Sequence, residues 1–169
     1  DEGLVGSEMC IRDRIEGFDY GNSPFQYMNS DINGKSLVLT TTNGTKAINI
    51  ASNHKVITAS FLNITAVTDY LLKCDSDIII LCSAWKSVFN LEDSIFAGAL
   101  SQSLLKHQFF GICDSMIASI NLYNCSKNNL FEYLSTSEYR NRNSSKNLMR
   151  DTKFCLKPNL RSNIVPILD

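Results

Sequence analysis

The stretch SLVLTTTNGTKAI, residues 36–48, is the most informative for the fold because it changes from a strand pattern to a helix pattern within a few residues. Leu37, Val38 and Leu39 are typical of a buried strand, whereas a helical pattern begins near Lys46. The turn between them contains an Asn-Gly pair, which tolerates positive φ and is a strong turn signal on its own. A simple reverse turn does not need hydroxyl groups on both sides, so the threonines call for a further explanation.

The sequence around this stretch continues the same alternation of strands and helices. Apolar runs predict strands at residues 35–41, 55–60 and 77–83, and helical periodicity predicts helices at 45–52, 64–73 and 91–107. The run DIIILCS (77–83) is continuously apolar, as in a parallel strand covered on both faces. We therefore expect an α/β fold with a parallel-rich sheet flanked by helices, in a three-layer α/β/α arrangement.

The remainder of the chain is more polar and its pattern is mainly helical. Helices are predicted in residues 112–122 and 128–135, and in several pieces over 138–156. The final segment NIVPIL predicts an edge strand. These elements belong to one domain, since 169 residues with 44% hydrophobic content suffice for one sizeable core.

Composition excludes several classes of function. A net charge of −1 and a pI near 6.1 give no general attraction for nucleic acid or anionic membranes. No apolar run approaches the roughly 18 residues that span a bilayer, and no signal-peptide pattern is present, so we expect a soluble cytoplasmic protein. The six cysteines are irregularly spaced without a CxxC pair, which predicts reduced thiols and no structural zinc site.

The threonine turn, residues 41–46, has the features of a phosphate site. Right-handed crossovers bring the loops after parallel strands to one sheet edge, so TTTNGT, SFLN (60–63) and SAWKSVFNLED (83–93) should meet. A turn with hydroxyl groups, free amides and a helix N-terminus suits an oxyanion. The alternative is that Thr45 only caps the helix. The residues predicted to bind phosphate are Thr42, Asn43, Gly44, Thr45 and Lys46.

Acidic residues at the same edge supply candidate catalytic groups. Glu92 and Asp93 lie where a loop enters a helix, and Mg²⁺ requires one or two carboxylates. The alternative is that Asn90 caps this helix and the acids only complement its dipole. Asp19 is a further candidate as ligand or general acid, or else it shapes the loop before the following Ser-Pro step.

Several segments together resemble one enzyme family. They are GFDYGNSPFQY (17–27), GKSLVLTTTNGTKAI (34–48), SFLN (60–63), ILCSAWKSVFNLEDSIFAGAL (80–100) and DTKFCLKPN…IVPIL (151–168). In order and spacing they are similar to the 2-phosphosulfolactate phosphatase family. The resemblance implies a Mg²⁺-dependent acid phosphatase that hydrolyses 2-phospho-3-sulfolactate to 3-sulfolactate and phosphate, a step that leads to coenzyme M in methanogens.

The resemblance also implies roles for particular residues. The candidate catalytic residues are Asp19, Glu92 and Asp93, and one of Glu92 and Asp93 would hold the metal, directly or through water. The sulfonate and carboxylate of such a small anionic substrate call for cations and amide donors. Besides the threonine turn, the residues expected to bind them are Asn22, Ser23, Arg140 and Arg142.

Some features depart from the family pattern. Residues 1–14 fit neither the family nor a plausible element, so we expect a non-native or disordered leader, followed by a single domain (15–169) lacking its N-terminal portion. Ala84 stands where the family tends to glycine, and Tyr139 where it tends to histidine.

Two rival functions remain open. One is a non-catalytic α/β module that binds a phosphorylated or sulfonated metabolite. The other, a nucleotide-binding domain, is disfavoured because neither GxGxxG nor a Walker pattern is present. The oligomeric state is open, with a homo-oligomer as one option.

Overall fold

The computed structural model describes residues 2–7, 17–29, 32–111, 113–142, 146–161 and 163–168, with only the backbone at 2–7, 29, 142 and 146. In chain order the described elements are β1 (Glu2–Ser7), α1 (Pro24–Asn29), β2 (Ser36–Thr41), α2 (Gly44–Ile50), β3 (Val56–Ile57), a 3-10 turn (Phe61–Asn63), α3 (Ile64–Leu71), α4 (Leu91–Leu105), α5 (Asp114–Ser126), α6 (Leu130–Tyr133), a 3-10 turn (Leu134–Thr136), α7 (Glu138–Arg142), α8 (Lys146–Cys155) and β4 (Ile167–Leu168). The predicted mixture of helices and strands is confirmed.

Two small sheets form among the described residues. β1 pairs with β2 in parallel, from Glu2 beside Ser36 to Ser7 beside Thr41. β3 pairs with β4 in antiparallel orientation, which confirms the predicted C-terminal edge strand and shortens the predicted strand 55–60 to two residues. The expectation of a non-native leader at residues 1–14 stays a prediction, although part of it runs beside β2.

The predicted strand at residues 77–83 pairs with no strand among the described residues. Its side chains nevertheless alternate: Ile78 and Ile80 pack on the core, whereas Ile79 is 83% exposed and Leu81 is 49% exposed. A continuous apolar run predicts two covered faces, but here the described residues cover only one. The parallel-rich three-layer sheet is therefore not formed in the part of the chain that the structure describes.

The core is built around α4. Ile95 and Ala99 join Phe61 and Leu134 in one buried cluster, and the other end of α4 packs with Val67 and its neighbours on α3. The opposite face of α4 carries small residues and packs on α5, with buried Ser94, Ala97, Gly98 and Ser101. α4 is therefore buried on several sides, which fixes the position of its N-terminus.

The segment 159–168 closes on the start of α3. The Asn159 N–H donates to the Phe61 carbonyl at 2.9 Å, and the Asn159 side chain accepts from the Thr65 N–H at 2.9 Å. Buried Asn63 donates to the Ile164 carbonyl at 3.0 Å. The SFLN segment therefore contacts the C-terminal segment. Among the described residues, no helix has the length and apolar character needed to cross a membrane.

Candidate functional site

The threonine turn is closed by its own side chains. The Thr41 N–H donates to the Thr45 hydroxyl oxygen at 2.9 Å, so this hydroxyl serves the turn. A Cβ on Gly44 would lie 2.7 Å from the Thr41 hydroxyl oxygen, closer than side chains pack. The side chain of Asn43 does not cap α2. A side chain at residue 44 would therefore displace the Thr41 hydroxyl.

Two amide groups of this turn donate to no backbone carbonyl among the described residues. They are the N–H groups of Gly44 and Thr45. Thr42 is exposed beside them, and Lys46 is exposed one residue further along. Neighbouring backbone N–H groups with a nearby ammonium form an arrangement suited to an oxyanion.

The loop after residue 83 lies against the threonine turn, as predicted. Trp85 and Val88 exchange two backbone hydrogen bonds of 3.0 and 2.8 Å, which close a tight hairpin. The Lys86 N–H donates to the Asn43 side-chain oxygen at 3.2 Å, and the Lys46 ammonium donates to the Ser87 hydroxyl at 2.8 Å. The structure thus brings Asn43 and Lys46 together with this hairpin.

Asp93 joins the start of α4 to this loop. Its N–H donates to the Asn90 side chain at 3.0 Å, the capping interaction that sequence predicts, and its carboxylate accepts from the Ala84 N–H at 2.9 Å. Burial raises the pKa of the Asp93 carboxyl above its ordinary value. Hydrogen bonds from the Ala84 and Ser83 N–H groups lower this pKa in part, whereas the negative charge of Glu92 raises it further. This carboxylate is thus half-buried and held by backbone donors.

Glu92 points to a different partner. The Ser137 hydroxyl, on a residue only 3% exposed, donates to the Glu92 carboxylate at 2.5 Å. The same hydroxyl accepts from the Arg140 N–H at 3.3 Å. The Arg140 guanidinium, predicted to bind substrate, lies 4.2 Å from the centre of the Phe131 ring and donates to the Phe131 carbonyl at 3.3 Å. The Ser137 hydroxyl thus links the Arg140 N–H to the Glu92 carboxylate, while the Arg140 guanidinium contacts Phe131.

The predicted residues before α1 lie against α8. The Ser23 hydroxyl donates to the buried Asp151 carboxylate at 3.1 Å. Asp19 and Asn22 are exposed in the same segment. The side chain of Arg142 lies outside the described residues, so its predicted role stays a prediction.

Glu92 and Asp93 are the carboxylates at this edge that could bind Mg²⁺. Within the described ranges, no three or more His, Cys, Asp or Glu side chains are grouped closely enough to hold a metal ion. Mg²⁺ nevertheless takes one or two carboxylates and fills its other positions with water and phosphate oxygens. Adjacent Glu92 and Asp93 supply such hard oxygen donors. The donor chemistry of these two residues therefore fits Mg²⁺, although the described residues form no closed cage for it.

Comparison with known proteins identifies the family. A family model described as 2-phosphosulpholactate phosphatase matches residues 8–169. The chain belongs to the 2-phosphosulfolactate phosphatase family. This confirms the resemblance stated from the sequence motifs, and the match begins somewhat earlier than the predicted residue 15.

Curated relatives in this family carry the name "Probable 2-phosphosulfolactate phosphatase". The protein of Caldanaerobacter subterraneus subsp. tengcongensis is 36% identical over 156 residues, which cover 92% of this chain and 64% of the relative. That of Thermotoga petrophila is 37% identical over 145 residues, covering 86% and 62%. That of Clostridium perfringens strain SM101 is 32% identical over 161 residues, covering 95% and 64%. The chain thus spans a little under two thirds of the length of these relatives.

The structure also shows contacts for residues that the sequence analysis did not name as candidates. They are Lys86 and Ser87 within the loop 83–93, Ser137 beside Glu92, and Asp151 beside Ser23. Ser137 immediately precedes α7, so a capping pattern marks it as a helix start. Nothing in the sequence marks its contact with Glu92, which lies 45 residues away.

Proposed function

We propose that this chain forms the phosphate-binding part of a phosphomonoester hydrolase that converts 2-phospho-3-sulfolactate to 3-sulfolactate and phosphate. The observation that carries the proposal is that, among the described residues, no backbone carbonyl accepts from the N–H of Gly44 or Thr45, while the exposed Lys46 follows them in the chain. The names of the family relatives support the substrate. Because phosphoryl transfer depends mostly on positioning and charge neutralisation, such a cradle meets a main requirement of the reaction.

We assign a role to each group at the edge. The Gly44 and Thr45 amides hold the phosphoryl oxygens, and Lys46 neutralises part of their charge. Glu92, whose carboxylate accepts from the Ser137 hydroxyl, would hold Mg²⁺. The metal, when bound, would supply charge neutralisation to the phosphoryl group and the leaving oxygen. Water attacks phosphorus and the bond from phosphorus to the ester oxygen breaks. That oxygen takes a proton, for which Asp19 remains our candidate donor, and the attacking water supplies the proton that restores this donor.

We also propose a fold arrangement and a cellular location for the whole protein. The alternating burial of residues 78–81 supports a strand in the three-layer α/β/α arrangement, with the uncovered apolar side chains on its second face. The composition supports a cytoplasmic protein that acts on a small anionic substrate and does not bind nucleic acid.

Phosphate release from 2-phospho-3-sulfolactate, with and without Mg²⁺, tests this function. We expect Lys46→Ala to weaken substrate binding by about tenfold, the factor for one lost charge-assisted hydrogen bond. Lys73→Ala, an exposed lysine at the end of α3, is the matched control and should have no effect. Glu92→Gln should lose Mg²⁺-dependent turnover but retain binding of inorganic phosphate.

Two outcomes would contradict the proposal. Phosphate binding without any turnover, under all metal conditions, would favour the non-catalytic module that binds a phosphorylated or sulfonated metabolite. Equal activity of the Lys46→Ala and Lys73→Ala variants would remove the threonine turn from the site.

A further inference from the structure

The loop at residues 84–88 has an unusual backbone. Ala84, Lys86 and Ser87 have φ values of 63°, 49° and 64°, in the left-handed region that L-residues rarely adopt. Lys86 and Ser87 are the two central residues of the hairpin closed by Trp85 and Val88. A tight hairpin turn with two such residues is normally built from Gly or Asn. Conformations of this kind persist only where the surrounding structure holds them.

The contacts that hold this loop lie at its two ends. At its start, the Ala84 N–H donates to the half-buried Asp93 carboxylate at 2.9 Å. At its tip, the Lys86 N–H and the Ser87 hydroxyl contact the side chains of Asn43 and Lys46 at 3.2 and 2.8 Å. The loop therefore connects the rigid start of α4 to the threonine turn.

We propose that Asp93 is a positioning residue that holds the 84–88 loop against the threonine turn. The Asp93 carboxylate accepts from the Ala84 N–H, whereas the Glu92 carboxylate accepts from Ser137 on the other side. The two adjacent acids therefore have different partners. The statement that the loop helps to form a phosphate site rests on the proposed function. The statement that Asp93 controls the position of the loop does not.

The chain carries its own reporter for this inference. Trp85, the single tryptophan of the sequence, lies at the base of the hairpin. Its emission therefore reports on the loop without any added label. The variants are Asp93→Asn, which keeps an oxygen that accepts from the Ala84 N–H, and Asp93→Ala, which removes that acceptor. Asp69→Ala, at an exposed acid on α3, is the matched control.

The first measurement is acrylamide quenching of Trp85 in the free chain. Asp93→Ala should increase the quenching constant and shift the emission to longer wavelength, whereas Asp93→Asn and Asp69→Ala should resemble the unmodified chain. The far-UV circular dichroism of each variant shows whether it is folded. If Asp93→Ala unfolds the chain, the Asn43→Ala variant, which removes the contact at the loop's other end, should still increase quenching. Unchanged quenching in both alanine variants would overturn the inference.

The second measurement is a titration with inorganic phosphate followed by Trp85 emission. Asp93→Ala should weaken phosphate binding by about tenfold, as expected when one hydrogen bond that positions the loop is lost, and Asp93→Asn, which keeps an acceptor oxygen, should restore most of it. Equal losses in both variants would mean that the charge of Asp93 matters and would overturn the positioning role. If the unmodified chain binds no phosphate, the proposed function fails at the threonine turn, while the quenching result still decides the role of Asp93.

Discussion

Replacing Gly98 by alanine should destabilise the protein, although alanine is the better helix former. Gly98 lies in the middle of α4, at the point where the backbone of α5 comes closest. A Cβ built on Gly98 overlaps the carbonyl group of Ser119 and lies 2.9 Å from the backbone nitrogen of Ile120. Because these are backbone atoms of a packed helix, no single side chain can rotate away. The two helices must move apart.

The size of the effect follows from two opposing terms. Overpacking a tightly packed core costs about 1–3 kcal/mol, and the displacement of a whole helix belongs at the upper end of that range. The change from glycine to alanine inside a helix returns about 1 kcal/mol through helix propensity. We therefore expect Gly98→Ala to lower the free energy of unfolding by about 2 kcal/mol.

Urea unfolding followed by circular dichroism measures this change. With a typical slope of about 2 kcal/mol per molar urea, the midpoint should fall by about 1 M. Gly111→Ala is the control, because nothing lies within 4 Å of a Cβ built at that position. A Gly98→Ala protein as stable as the unmodified chain would show that α4 and α5 lie further apart than described, and would refute the reasoning.

Two further predictions concern the hydrogen bond between Ser137 and Glu92 and the order in which the cysteines react. Ser137→Ala should lower the free energy of unfolding by about 2 kcal/mol, because it removes a buried hydrogen bond to the Glu92 carboxylate; urea unfolding would show this, and an unchanged midpoint would argue against the contact. Among the described cysteines, Cys113 should react first with iodoacetamide near neutral pH, since it is exposed and a hydrogen bond with Ser115 lowers the pKa of its thiol. Cys82 should react much later, because burial raises the pKa of its thiol; peptide mass spectrometry gives the order, and faster labelling of Cys82 would contradict it.

The helices of this chain were largely predictable from sequence. The amphipathic and apolar patterns gave α3, α4 and α5 within a few residues of their observed bounds. The strands were less predictable, because a strand depends on a partner that local sequence does not specify. The run at residues 77–83 has strand composition and strand-like alternation of burial, yet it has no ladder partner among the described residues. Composition predicts that a segment is extended, but it does not predict what lies beside it.

For the candidate site, sequence analysis predicted that two of the loops meet, but it did not predict which side chains contact each other. The rule that loops after parallel strands meet at one edge correctly brought the threonine turn to the loop after residue 83. The same rule also places SFLN at this edge; that stays a prediction, because the contact of Asn63 in the structure is with the C-terminal segment. The separate partners of Glu92 and Asp93 could not be predicted, since they lie on different elements and adjacent acids at a helix start look alike in sequence.

The closure of residues 159–168 over the start of α3 also constrains the order in which the protein can fold during synthesis. The hydrogen bond from Asn63 to the Ile164 carbonyl joins residues 101 positions apart. At translation rates of about 5–20 residues per second, residues 56–65 wait on the order of 5–20 seconds for their partners to be synthesised. During that interval the edge of β3 lacks β4, the strand with which it pairs. The hydrogen-bonding groups of β3 can therefore be paired in this way only at the end of synthesis, after α4 and the helices that follow it have been made.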